Sequence, residues 1–307
     1  MRTIKLGKSN LEVSVIGLGC MRLTERSEKE AREYLETCLE LGINFFDHAD
    51  IYQGGECEKL FSKAFPMSAD TREKIVIQSK CGICPRKMYD FSKEHILDSV
   101  DHILQRLHTE YLDVLVLHRP DALMEPEEVA EAFDILESTG KVRHFGVSNH
   151  KPTQIELLKR CVKQEIITDQ LQFSIPFSGM ISSGLEVNMV TDTAADRDGS
   201  VLDYCRLHDI TIQAWSPFLI GGGIKKTFID NDAYPELNRV LLELGEKYSV
   251  SKTAVAAAWI LRHPANIQVI AGTMNTGRIR DIAKASEIRL EREEWYRLYL
   301  AAGHRLP

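Results

Sequence analysis

The sequence lacks the segments that mark membrane and secreted proteins. It contains no run of about 18 uninterrupted apolar residues, and its N-terminus, MRTIKLGKSNLEVSV, has no apolar signal core. Neither a membrane span nor a secretory signal is therefore predicted, and the expected location is the cytoplasm. The seven cysteines are odd in number and scattered, which is typical of reduced intracellular thiols and not of a disulfide framework.

A surplus of basic residues is also missing. Lys and Arg number 38 against 45 Asp and Glu, so the formal net charge is −7. This mild acidity provides no global field for nucleic acid or for an anionic membrane, and the expected partner is a small molecule. Because no low-complexity linker interrupts the chain, we predict one domain over residues 1–307. The oligomeric state stays open.

The glycine fingerprint of a doubly wound dinucleotide-binding fold is absent, since GLGC at residues 17–20 is not G-x-G-x-x-G. Short apolar runs alternate instead with amphipathic segments, as in parallel strands covered on both faces. Eight such units predict an α/β fold, a (β/α)8 TIM barrel, with residues 3–15 forming an N-terminal β-hairpin that closes one end. The predicted strands are 15–19, 43–47, 75–80, 112–118, 143–148, 168–173, 210–215 and 267–272.

Helices are predicted between these strands. The apolar spacing favours helices over residues 28–41 and 94–107, with Ser27 and Ser92 as N-caps. The longest connection, residues 174–199, is predicted to be the main loop over the substrate, because loops of this length are usually functional.

Polar side chains end three neighbouring predicted strands, on the side of such a barrel where active sites lie. Asp47 ends the second strand, with Tyr52 five residues later, while Lys80 ends the third and His118 the fourth. A buried Lys80 requires a counter-ion, and Asp47 is the expected one. A neighbouring ammonium lowers the pKa of a phenol, so Tyr52 is predicted to donate a proton at neutral pH. His118 is predicted to orient a substrate oxygen.

Together these residues indicate reduction of a carbonyl group, with the hydride supplied by a cofactor because no side chain can provide one. Two other functions stay open: a cofactor-binding redox sensor or regulatory subunit with slow turnover, and a Schiff-base aldolase that uses Lys80 as its nucleophile. The pair Cys81 and Cys84 is a single CxxC without a second pair, so no metal site is predicted. A redox role for these two thiols is a hypothesis.

Six segments in this order and spacing, NFFDHADIY, IQSK, LVLHRPD, GVSN, LQ and AWSP, resemble the aldo-keto reductase family. The resemblance covers the whole chain and implies a barrel that binds NADPH and reduces an aldehyde or ketone to an alcohol, or acts in reverse as an alcohol dehydrogenase. It assigns the catalytic tetrad to Asp47, Tyr52, Lys80 and His118. The residues expected at the cofactor are Gly19, Met21, Arg22, Asp47, Ser148, Asn149, Gln170, Trp215, Ser216, Pro217, Phe218, Gly221, Gly222, Gly272, Thr273, Met274, Asn275 and Arg278.

The resemblance also divides this set by role. It implies that Ser148, Asn149 and Gln170 bind the nicotinamide carboxamide and that Trp215 stacks on the ring. It implies that Ser216, Pro217, Phe218 and the glycines at 221–223 line the pyrophosphate. The segment from Gly272 to Asn275 is expected at the adenosine phosphate together with Arg278, whose always-charged guanidinium suits NADPH. Some relatives carry a lysine in place of Gly272, so NADH is the alternative cofactor.

Overall fold

Eight parallel strands close into a barrel in the computed structural model, which describes residues 1–65 and 67–306. Pro66 and Pro307, both inside the predicted domain, lie outside the described residues. All eight predicted strands are confirmed to within two residues at each end. In chain order the strands are β1 Thr3–Lys5, β2 Glu12–Ser14, β3 Ile16–Gly19, β4 Phe45–Asp47, β5 Val76–Cys81, β6 Ile83–Cys84, β7 Met88–Tyr89, β8 Leu112–Leu117, β9 Val142–Ser148, β10 Ile166–Gln172, β11 Thr211–Trp215, β12 Leu219–Gly221, β13 Ile224–Thr227 and β14 Ile267–Ala271.

The barrel strands follow one another around the ring in the order β3, β4, β5, β8, β9, β10, β11 and β14, and β14 pairs with β3 to close it. All neighbours are parallel, so all eight C-terminal ends meet at one rim. The register places Asp47 beside Gln78 and Lys80 beside Val116. The polar strand ends found in the sequence therefore face a common opening.

The predicted N-terminal hairpin is confirmed as the antiparallel pair β1–β2. Its Leu6 and Val13 are completely buried against apolar side chains from the lower part of the barrel, including Val114 and Ile167. A Cβ atom on Gly7, whose φ is +55°, would lie 2.3 Å from the Ile167 carbonyl oxygen, so this close approach requires glycine. The hairpin thus closes the end of the barrel opposite the rim.

Helices cover the outside of the barrel, and both predicted helices and their N-caps are confirmed. Ser27 forms a capping box with Glu30, and the Ser92 hydroxyl accepts a hydrogen bond from the His95 backbone N–H. The α-helices are α1 Glu28–Glu40, α2 Glu56–Ala64, α3 Ala69–Glu73, α4 Lys93–Leu107, α5 Pro126–Ser138, α6 Pro152–Lys159, α7 Gly179–Leu185, α8 Val201–Leu207, α9 Pro235–Tyr248, α10 Lys252–Arg262, α11 Thr276–Ala283 and α12 Arg292–Ala301. Short 3-10 helices span Cys20–Glu25, Tyr52–Gly55, Asp192–Ala194 and Lys284–Glu287.

The long connection over residues 174–199 is partly helical, because it contains α7 and a 3-10 turn. Ile181 is buried, and the Ser182 hydroxyl lies 2.8 Å from the Tyr299 hydroxyl of α12. These contacts anchor the first half of the connection to the helical layer. Within the described part of the chain, no helix combines the length and apolar character that a membrane span needs.

Candidate active site

Lys80 and Asp47 form a buried ion pair at the rim, as predicted. Lys80 is fully buried, and its Nζ lies 2.7 Å from Asp47 Oδ1 and 2.8 Å from Oδ2. The ammonium also donates to the His48 carbonyl oxygen at 2.7 Å. Burial by itself lowers the pKa of Lys80, but Asp47 and Tyr52 outweigh it and the pKa is raised. Lys80 therefore stays protonated, which removes the free amine that the aldolase alternative requires.

Tyr52 lies against this ammonium at the start of a 3-10 helix just beyond β4. Lys80 Nζ donates to the Tyr52 hydroxyl at 3.1 Å, so the predicted contact is confirmed. The predicted direction of the pKa shift is wrong, however, because burial, together with the charge of Asp47, raises the pKa of Tyr52 by more than Lys80 lowers it. The phenol is thus fully protonated at neutral pH, as a proton donor must be, and Lys80 offsets part of the cost of forming the phenolate.

His118 faces Tyr52 across the opening, with ring centroids 6.1 Å apart and the planes nearly perpendicular. Burial, and then the charges of Lys80 and Arg119, lower its pKa to about 2. The imidazole is therefore neutral at physiological pH and keeps one N–H donor. A neutral donor beside the phenol suits the predicted role of orienting a substrate oxygen.

The His48 backbone carbonyl accepts from Lys80, but its imidazole takes no part in these contacts. It is completely buried and packs edge-on against Phe61, with ring centroids 4.6 Å apart. Burial, reinforced by Lys80, lowers its pKa to about 3. We interpret His48 as a neutral packing residue of the wall between β4 and α2.

A chain of glutamines inside the barrel supports Asp47 from below. Gln78 and Gln170 donate to Asp47 Oδ1 at 2.7 and 3.2 Å, and both also donate to Gln213 Oε1, at 2.8 and 3.2 Å. Gln213 in turn donates to Gln268 at 3.0 Å. Gln268 donates to the Ser14 carbonyl oxygen at 2.8 Å, next to the hairpin that closes the barrel.

Sequence reasoning missed three members of this chain, Gln78, Gln213 and Gln268. Each follows an isoleucine inside an otherwise apolar predicted strand, and this repeated Ile–Gln pair was the available signal. A polar residue in such a position must find a partner within the barrel. The glutamine chain also constrains Gln170. Both hydrogens of its side-chain amide are donated, to Asp47 and to Gln213, so its Oε1 is the atom left for a ligand that donates hydrogen bonds.

The residues expected at the nicotinamide carboxamide are brought together. The Ser148 hydroxyl donates to the Gln170 carbonyl at 2.9 Å, and Asn149 Nδ2 donates to that hydroxyl at 2.7 Å. Trp215 Nε1 donates to Asn149 Oδ1 at 3.2 Å. The Arg119 guanidinium lies 5.8 Å from the centre of the Trp215 ring. These contacts place the predicted carboxamide ligands and the predicted stacking ring side by side.

The residues expected along the pyrophosphate form a tight turn. Ser216, Pro217 and Phe218 precede the β12–β13 hairpin, in which Gly221 ends β12 and Gly222 begins the turn, with φ of +90° and +60°. A Cβ on Gly221 would lie 2.4 Å from the Phe177 ring. The turn conformation and the close contact account for the glycines, and their role at a cofactor stays a prediction.

The segment expected at the adenosine phosphate follows β14. Asn275 caps α11 by accepting a hydrogen bond from the Arg278 backbone N–H at 2.9 Å. The Thr273 and Met274 carbonyls accept from the Tyr34 hydroxyl at 2.5 Å and from an Arg26 guanidinium nitrogen at 2.7 Å. These bonds fix the backbone of the segment. The Arg278 side chain is exposed, and no carboxylate among residues 1–65 and 67–306 forms an ion pair with it.

The remaining predicted residues lie at or just beyond the ends of the first and last barrel strands. They are Gly19, Met21, Arg22 and Gly272. A Cβ on Gly272 would lie 3.9 Å from an Arg22 guanidinium nitrogen, and a Cβ on Gly19 would lie 3.8 Å from Gly272 Cα. Met21, which lies between Gly19 and Arg22 in the chain, is exposed. Glycines at positions 19 and 272 therefore let the ends of the first and last barrel strands approach closely beneath Arg22.

The sequence matches known proteins over nearly its whole length. The model of the Aldo/keto reductase family matches residues 15–299. The protein named uncharacterized oxidoreductase YcsN, from Bacillus subtilis strain 168, is 38% identical over the full length of both chains. A 6-dehydroglucose reductase from Agrobacterium fabrum is 34% identical over 95% of each chain.

The fold is also found among solved structures. An aldo-keto reductase from Klebsiella pneumoniae, solved in complex with NADPH, is 22% identical with a TM-score of 0.78, covering 99% of this chain and 96% of that one. The barrel predicted from the sequence is thereby confirmed, and the family model and the curated relatives confirm the family resemblance. The chain belongs to the Aldo/keto reductase family of oxidoreductases.

Proposed function

We propose that this protein is an NADPH-dependent reductase that converts an aldehyde or ketone into an alcohol. The observation that carries the proposal is the contact of the Tyr52 hydroxyl with the Lys80 ammonium. Both carboxylate oxygens of Asp47 form an ion pair with the same ammonium. Family membership supports an oxidoreductase with a nicotinamide cofactor. All four tetrad positions are occupied and adjacent, which favours turnover over a purely regulatory role.

The residues of the tetrad have distinct roles in this proposal. Bound nicotinamide would supply the hydride that reduces the carbonyl carbon. Tyr52 gives its proton to the carbonyl oxygen, and Lys80 stabilises the phenolate that remains. Asp47 keeps the ammonium charged and in position. Neutral His118 donates a hydrogen bond that holds the carbonyl oxygen near Tyr52.

Several observations fit NADPH as the cofactor. The Gln170 Oε1 atom is available to accept from a carboxamide NH2 group, next to Ser148 and Asn149. Arg22 and Arg278 are exposed cations at the rim, and neither side chain forms an ion pair with a described carboxylate. Guanidinium groups of this kind suit pyrophosphate and a ribose phosphate.

Relatives direct the search for the substrate. Two proteins that are 34% identical to this chain carry the name 6-dehydroglucose reductase, so oxidised sugars belong in the first substrate panel together with simple aldehydes and ketones. Oxidation of NADPH, followed by its absorbance, measures turnover for each compound.

Replacement of Tyr52 tests the proposal directly. Tyr52→Phe removes only the phenolic proton, and we expect reduction to fall by roughly 10²–10⁴-fold, the usual contribution of a general acid. NADPH binding, measured by fluorescence quenching, should stay within about twofold. Tyr89→Phe, at an exposed tyrosine outside the site, is the matched control. Tyr52→Phe enzyme that retains more than a few per cent of the activity would show that another group donates the proton.

A further inference from the structure

The hairpin that follows Lys80 gathers three metal-ligating side chains. Cys84 ends β6, Asp90 follows β7, and His95 lies in the first turn of α4. One thiol sulfur, one carboxylate oxygen and one imidazole nitrogen from these residues all lie within 4.8 Å of one another. All three residues are half-buried, so the cluster is neither sealed in the core nor freely mobile on the surface.

Hydrogen bonds hold these side chains in place. The Asp90 backbone N–H donates to the Gly82 carbonyl at 2.9 Å and closes the hairpin. Asp90 Oδ1 accepts from the Ser92 backbone N–H at 3.0 Å, which leaves Oδ2 for another partner. The Ser92 hydroxyl caps α4 through the His95 N–H at 3.4 Å. The Asp90 carboxylate is therefore held by the Ser92 backbone, and the cap fixes the backbone that carries His95, a condition that favours binding without large rearrangement.

The spacing suits a small tetrahedral cation. Cys84 Sγ and His95 Nε2 are 4.0 Å apart. Zinc–sulfur and zinc–nitrogen bonds of about 2.3 and 2.0 Å at a tetrahedral angle separate the two ligand atoms by roughly 3.5 Å. Small side-chain rotations would close this gap. In doing so, His95 Nε2 would exchange its present 3.4 Å contact with the Ser99 hydroxyl for the metal.

The donor set of the cluster also suits a cation. It offers one carboxylate oxygen, one imidazole nitrogen and one thiol sulfur, all of them groups that zinc binds. Binding of a metal ion would displace the thiol proton.

We propose that Cys84, Asp90 and His95 bind one zinc ion, whose fourth position is open to water or to an added ligand. The sequence predicted no metal site because it offered only one CxxC pair. The fold instead joins Cys84 to a carboxylate and an imidazole that are six and eleven residues away. Cys81 is not part of the cluster, because it is fully buried in the barrel wall.

Bound zinc would connect the β6–β7 hairpin to the start of α4. This hairpin begins three residues after Lys80, so the metal would stiffen the loop beside the catalytic rim. Because the site forms only in the folded chain, zinc should raise the midpoint of thermal unfolding by mass action.

Titration of the full-length protein with Co²⁺, as a spectroscopic substitute for Zn²⁺, tests the proposal. We expect saturation at one equivalent, with a thiolate-to-cobalt charge-transfer band and the visible bands of a tetrahedral ion, both removed by added Zn²⁺. Cys84→Ser should abolish the charge-transfer band, and His95→Gln and Asp90→Asn should weaken binding at least tenfold. Circular dichroism of each variant confirms that it is folded.

Two controls separate this site from adventitious binding. Cys161→Ser, at the other half-buried cysteine, and His102→Gln, at an exposed histidine beside Asp98 on the same helix, should both bind Co²⁺ like the wild type. Wild-type protein without a charge-transfer band would overturn the proposal, as would a band that persists in Cys84→Ser. Carbonyl reduction is not part of the readout, so the result is independent of the proposed enzymatic function.

Discussion

Replacement of Gln213 by methionine tests whether the glutamine chain positions Asp47 for catalysis. Methionine has a similar volume but cannot hydrogen-bond in the same way. Gln213 accepts from Gln78 and Gln170 and donates to Gln268, so the change removes three buried hydrogen bonds. At about 1 kcal/mol for each bond, the free energy of unfolding should fall by about 3 kcal/mol. The amides of Gln78 and Gln170 then lose the acceptor that orients them toward Asp47.

The effect on catalysis should be separable from the effect on stability. Loosening these two amides should weaken the support of Asp47 by about one hydrogen bond, or about 1 kcal/mol, which is roughly a fivefold loss in kcat. Gln268→Met is the matched control, because it removes two buried bonds at the far end of the chain and leaves the contacts of Gln78 and Gln170 intact. We expect it to cost about 2 kcal/mol of stability while kcat changes by less than about twofold.

Urea denaturation gives the stability of both variants, and steady-state reduction with saturating NADPH gives kcat. An equal loss of kcat in Gln213→Met and Gln268→Met would mean that the glutamine chain contributes only to stability. An unchanged kcat in Gln213→Met, despite the expected loss of stability, would show that Lys80 alone is sufficient to hold Asp47.

Three further predictions concern other parts of the molecule. Arg72→Met should lower the free energy of unfolding by about 3–5 kcal/mol in urea denaturation, because it leaves buried Asp113 with only the half-exposed Arg143 as an ion-pair partner and removes the Arg72 hydrogen bonds to the Ile75 and Tyr111 carbonyls; a change below 1 kcal/mol would contradict this. The pKa of His48 is lowered to about 3, so the unfolded state takes up this proton first and stability falls as the pH drops below about 6.5. Between pH 7 and pH 5, His48 should cost the wild type about 2 kcal/mol in its free energy of unfolding. The His48→Leu variant should not show this part of the loss, and an unchanged pH dependence would refute the explanation. Arg278→Ala should raise the Kd for NADPH far more than the Kd for NADH, and equal losses would show that Arg278 does not contact the phosphate.

Local patterns in the sequence determined much of the architecture. Short apolar runs, helical spacing and capping residues such as Ser27 and Ser92 are properties of neighbouring residues, so they predicted the strands and the two helices correctly. The proximity of Asp47, Lys80 and His118 could also be predicted, because the C-terminal ends of parallel barrel strands must meet at one rim. Asp47 and Lys80 needed no coordinates to be placed together.

Only the tertiary structure decided the energetics of the site and its supporting contacts. The pKa of Tyr52 rises because burial outweighs the nearby ammonium, and the extent of burial depends on how all the surrounding elements pack. The contacts of Gln213 and the approach of Cys84 to His95 likewise join segments that no local pattern relates. The sequence by itself determined which side chains reach the rim, since that follows from strand order. Packing decided how strongly each is desolvated and what lies behind it, because these quantities depend on distances between residues far apart in the chain.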